Sequence, residues 1–124
     1  MPTNIRIIHA HDFLKATPEG TLDVESSKKL LVEIAADTSN VSDHEILLDT
    51  RQAQSALSAA DLWYLAAELI SFRKALSRKT AVLCPLDRFD HAAFFALCAQ
   101  NKGFRVHAFT SFEDAMEWLM AKET

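Results

Sequence analysis

Two short apolar runs constrain this chain more than any other feature: Ile46-Leu47-Leu48 and Ala81-Val82-Leu83-Cys84. Neither alternates with polar residues, and they stop at Asp49 and at Pro85. A strand with no wet face needs cover on both sides, which places it inside a sheet flanked by helices. The residues between the two runs carry a long helical pattern. The strands are therefore joined by a helical crossover and lie parallel.

Strand and helix patterns alternate along the rest of the chain. Ile5, Ile7 and Ile8 interleave with Arg6 and His9, predicting a strand over 3–10. Phe13-Leu14-Lys15-Ala16 predicts a short second strand paired back on it, and Thr17-Pro18-Glu19-Gly20 predicts a turn. Asp23 caps a predicted helix over 24–36, with Leu30, Leu31 and Ile34 on its apolar side. Residues 37–45 read as a loop, and 51–57 as a connection. Ser58-Ala59-Ala60-Asp61 matches a capping box, and the helix after it is predicted over 59–77. A further helix is predicted over 88–101, closed by Lys102-Gly103. Phe104, Val106 and Ala108 alternate with Arg105 and His107 as an edge-like strand. A second capping box, Ser111 to Asp114, opens a last helix that ends near Lys122.

The predicted fold is α/β, one domain over 1–124, in the order β-β-α-β-α-β-α-β-α. Its sheet is mixed but mostly parallel, with an N-terminal β-hairpin.

Composition narrows the function. Of 124 residues 49% are apolar, too many for a disordered chain. Only 2 Gly are present, which argues against a glycine-built phosphate loop. The formal net charge of −4 argues against non-specific nucleic-acid binding, which needs a basic face. Cys84 and Cys98 make neither a zinc site nor a disulfide framework, and read as free thiols in a reducing compartment. No apolar run reaches the roughly 18 residues of a membrane span. No signal peptide is visible, so the expected location is cytoplasmic.

The segments Ile46-Leu47-Leu48-Asp49-Thr50-Arg51 and Leu57-Ser58-Ala59-Ala60-Asp61-Leu62 resemble the switch region of STAS domains. The ending from Ala108 to Leu119 looks like the closing strand and helix of the SpoIIAA-like proteins within them. In the antagonists of that family, a strand ending in Asp leads to an Asp-Ser-Ser/Thr-Gly motif at a helix start. Ser58 holds the place of the switchable serine, while Leu57 replaces the Asp and Ala60 the Gly. The resemblance implies a small, non-catalytic regulatory or ligand-binding module. It also implies that some relatives take apolar ligands under a mobile helix.

The candidate residues fall into two groups. Asp49, Thr50, Arg51, Ser58 and Asp61 form an expected regulatory face beyond the strand ends, where α/β sheets bind ligands. Its occupant is expected to be a protein partner or a small ligand. Trp63, Tyr64, Phe72, Phe94 and Phe95 exceed what packing on one sheet face needs. They predict a homodimer interface, or else an apolar-ligand site or membrane contact through helices 59–77 and 88–101. Arg73, Lys74, Arg78 and Lys79 give that second reading a weak basic cluster. An enzyme built on Cys84 is the least favoured reading, because no base stands at a recognisable spacing. His9 and His11 share a predicted strand face but lack a third convergent ligand in the sequence. No cofactor and no metal are expected.

Overall fold

The two apolar runs lie side by side at the centre of the sheet. The computed structural model describes residues 4–10, 13–38 and 45–121. The first run is β3 (Glu45–Asp49) and the second is β5 (Thr80–Leu83). They pair in parallel, Leu47 opposite Ala81 and Leu48 opposite Val82. β2 (Phe13–Leu22) flanks β3 and β6 (Val106–Phe109) flanks β5, both parallel. β1 (Asn4–Ala10) pairs antiparallel with β2 and forms the far edge. The α/β class, the mixed sheet and the N-terminal hairpin agree with the sequence reading.

Side chains along a strand alternate between faces, so each central strand feeds two cores. Ile46 and Val82 face one side with Leu14, Ala16 and Val106. That side is covered by α1 (Val24–Thr38), α2 (Ala59–Glu68) and α3 (Phe89–Asn101) through residues such as Leu30, Ile34, Ala96 and Ala99. Leu47, Ala81 and Leu83 face the other side, against Ala115 and Leu119 of α4 (Phe112–Met120). The Trp118 ring there lies 4.6 Å from His107 and 5.6 Å from Phe109, centroid to centroid.

Three local expectations are corrected. β2 does not turn at Thr17-Pro18-Glu19-Gly20 but runs on to Leu22. Pro18 is tolerated because the ladder to β3 ends at Ala16 and the next begins at Gly20, leaving it without a parallel partner. Gly20, at φ +93, then re-aims the strand. The next ladder is to β4 (Ala53–Ser55), a strand inside the expected connection. Finally, α2 stops at Glu68 and tightens into a 3-10 turn over Leu69–Phe72. Leu69 and Leu76 stay buried, so the apolar stripe continues while the hydrogen bonding changes.

The lone helix α4 is fixed at both ends. Ser111 accepts from the Asp114 N–H at 3.3 Å, half of the expected capping box. At the other end the buried Lys79 ammonium donates to the carbonyls of Trp118 (2.9 Å) and Ala121 (2.8 Å). It also stands 5.4 Å from the Trp118 ring centroid. Positive charge is favoured at a helix C-terminus, and here it is shielded from water. Glu45 holds the neighbouring backbone, accepting from the Lys79 N–H at 2.8 Å and from Arg78 Nε at 2.9 Å.

Lys79→Met keeps the apolar stem and removes the charge, so it is expected to cost about 2 kcal/mol of stability. Urea denaturation measures this, and an unchanged midpoint would show that α4 does not depend on the lysine.

Candidate functional site

The carboxyl ends of β3 and β5 meet the amino ends of α2 and α3, and most candidate residues collect there. Asp49 ends β3 with its side chain only 5% exposed. Arg51 clamps it with two bonds, Nε to Oδ1 at 3.0 Å and a terminal nitrogen to Oδ2 at 2.9 Å. The Arg51 backbone N–H adds a third at 3.1 Å, and Lys15 Nζ stands 3.8 Å away. Burial pushes the Asp49 carboxyl up, but the bonds and charge of Arg51, helped by Lys15, outweigh it and leave it below the usual carboxylate range. The same pairing raises Arg51. Asp49 and Arg51 therefore satisfy each other and hold the turn from β3 into β4.

Thr50 points the other way, as alternation along a strand requires. Its N–H and its hydroxyl both donate to the Leu83 carbonyl, at 2.8 and 2.9 Å. Its own carbonyl accepts from Arg88 at 2.8 Å. The expected regulatory face is thus split, with Asp49 beside Lys15 and Thr50 on the side of α1 to α3.

Ser58 and Asp61 close a full capping box at the start of α2. Ser58 Oγ accepts from the Asp61 N–H at 3.1 Å, and the Asp61 carboxylate accepts from the Ser58 N–H at 3.0 Å. The helix start is already served by a carboxylate. A phosphate on Ser58 would meet that like charge.

Between α1, α2, α3 and the strand ends lies a cavity of about 120 Å3. Its walls are mostly aliphatic: Leu22, Leu30, Leu31, Leu48, Leu57, Leu62, Leu65 and Val82, with Ala92 and Phe95 from α3. The polar atoms of its buried wall are occupied, Thr50 as above and Cys84 Sγ against the Phe109 carbonyl at 3.5 Å. Burial pushes the Cys84 thiol up, opposed by the charge of Arg88 and reinforced by that of Asp87. Ser27, Ser55, Arg88 and His91 are the more exposed polar residues lining it.

The aromatic group disperses. Phe95 lines the cavity and Phe72 packs on the main core. Trp63 (57% exposed), Tyr64 and Phe94 face outward. Lys102 Nζ stands 5.8 Å from the Trp63 ring, and Tyr64 Oη accepts from Lys28 at 3.2 Å, a bond that, helped by the nearby Glu68 carboxylate, raises the lysine. The basic cluster also disperses: Lys79 is buried, Arg78 pairs with Glu45, and Arg73 donates to the Lys102 carbonyl. Sequence reasoning missed Arg88 and Leu57. Leu57, the one large apolar residue of the 51–57 connection, was the available signal. Of the two histidines that the sequence places on one strand face without a third ligand, His9 lies on β1 and His11 lies outside the described residues, as does His44.

No family model and no curated protein sequence matches the chain. Solved structures do. An uncharacterised DUF3478-family protein with a SpoIIAA-like fold, from Shewanella loihica PV-4, superposes with a TM-score of 0.63. It is 16% identical, over 95% of this chain and 94% of that one. The fold is the SpoIIAA-like one. An anti-sigma factor antagonist from Mycobacterium paratuberculosis, which is STAS-type, superposes with a TM-score of 0.64. It is 15% identical, over 96% of this chain and 95% of that one.

Asp49→Asn is expected to cost about 1–3 kcal/mol at neutral pH, the scale of charge-assisted bonds lost from a buried carboxylate. Because the folded carboxyl is depressed, wild type holds this stability above about pH 4 and loses it as pH falls through the lowered value. Melting curves of the two proteins should converge in acid. A gap that stays constant from neutral pH down would contradict the assignment.

Proposed function

We propose that the chain is a non-catalytic regulatory module, one domain over 1–124, which acts by binding a small apolar ligand. The observation that carries this is the aliphatic cavity at the carboxyl ends of β3 and β5. Ligands of α/β sheets bind at such ends, and pockets of this kind are mostly apolar with few polar groups. Cys84 is a poor nucleophile here, since its thiol is pushed up and buried, so the enzyme reading lacks support. Among the described residues no helix is long and apolar enough to cross a membrane.

A second reading, contact with a protein partner or a second copy, is favoured by Trp63 and Leu97 (57% and 55% exposed) on α2 and α3. The similar fold named as an anti-sigma factor antagonist supports a protein partner by analogy.

The test is an NMR titration with 1-hexanol. Saturable shifts are expected at the methyl groups of Leu48, Leu65 and Val82. Ala92→Phe, which fills the cavity, should abolish them. Absence of saturable shifts in the wild type would sink the ligand reading and leave the outer face as the candidate.

A further inference from the structure

An arginine with no carboxylate partner among the described residues stands at the cavity mouth. Arg88 lies just before α3 at the end of a 3-10 turn, half-buried, and lines the cavity. Its guanidinium donates one bond, to the neutral Thr50 carbonyl at 2.8 Å. A guanidinium carries five N–H donors. Arg51 and Arg78, at the two ends of β3, each meet a carboxylate. Arg88 forms no ion pair among the described residues, although Asp87 and Asp90 stand beside it in sequence and are exposed. No side chain hydrogen-bonds the start of α3, and Asp90 lies in its first turn.

A half-buried cation with spare donors, beside an aliphatic chamber, is complementary to an anion carrying an apolar tail. We propose that the ligand is a small apolar carboxylate, with Arg88 binding its anionic end. This rests on the ligand reading above and adds the class. Size limits the tail. A cavity of roughly 150 Å3 holds benzene, so the chamber of about 120 Å3 takes roughly five carbons beyond the carboxylate. Longer chains would have to leave through the open side. The carboxylate would take a two-pronged bond from the guanidinium, as carboxylates commonly do with arginine.

The experiment titrates the wild-type protein with hexanoate, 1-hexanol and hexylammonium, three probes of one chain length. Hexanoate is expected to bind at least about tenfold tighter than hexanol, and hexylammonium more weakly than either. Arg88→Gln should bring hexanoate down to the level of hexanol and leave hexanol unchanged. Equal binding of hexanoate and hexanol to wild type overturns the proposal while the cavity reading stands. Binding of none of the three overturns both. If Arg88→Gln does not fold, because the bond to Thr50 is lost, the wild-type ranking decides alone.

Discussion

Two adjacent strands with no polar face demand cover on both sides, and this chain supplies it unequally. Three helices share one face of the sheet, and one short helix takes the other. The unequal supply shapes the rest. A single nine-residue helix has little apolar area with which to hold itself down, so it needs anchorage at its ends. That explains a buried lysine, an expensive residue to bury, whose cost is offset by two helix-end carbonyls and an indole face. On the crowded face, the amino ends of α2 and α3 do not close fully over the ends of β3 and β5. The gap between them is the cavity.

β3 is anchored at both of its ends by the same device. Glu45 opens the strand and Asp49 closes it, both buried, each paired with an arginine and each accepting a backbone N–H. Buried ion pairs of this kind add little net stability compared with apolar residues, but leaving one partner alone is costly. Their service here is positional. They set where β3 begins and where the chain must leave it. Arg88, beside the cavity, differs from these two: it donates to a carbonyl and forms no ion pair among the described residues.

Much of the fold was legible because strand and helix signals are local. The runs at 46–48 and 81–84 became β3 and β5, and the capping box at Ser58 formed as its residue spacing implied. The failures have physical reasons. Pro18 and Gly20 are turn residues by chemistry, yet they fall where β2 changes partners and a ladder position is vacant. β4 is three residues with no pattern of their own, and it exists only because β2 offers an edge. Leu69 and Leu76 keep the spacing of a helix through a segment that is no longer α-helical, so periodicity could not reveal its end. The cavity was invisible for a different reason. Its walls come from residues between Leu22 and Phe95, and each of them alone reads as ordinary core.

β2 is one strand served by two partners in succession, and the second of them is slight. β4 holds to it over three residue pairs, Gly20–Ala53, Thr21–Gln54 and Leu22–Ser55, with one more bond from the Ala56 N–H to the Leu22 carbonyl. Ser55 and Leu57, which wall the cavity, ride on this segment. Local opening draws on the least supported part of a structure. The outer wall can therefore swing away as a flap while β3, β5 and both cores remain intact. Widening the mouth of the cavity then breaks only a handful of edge hydrogen bonds, and the stability of the sheet as a whole need not limit how fast the proposed ligand would come and go.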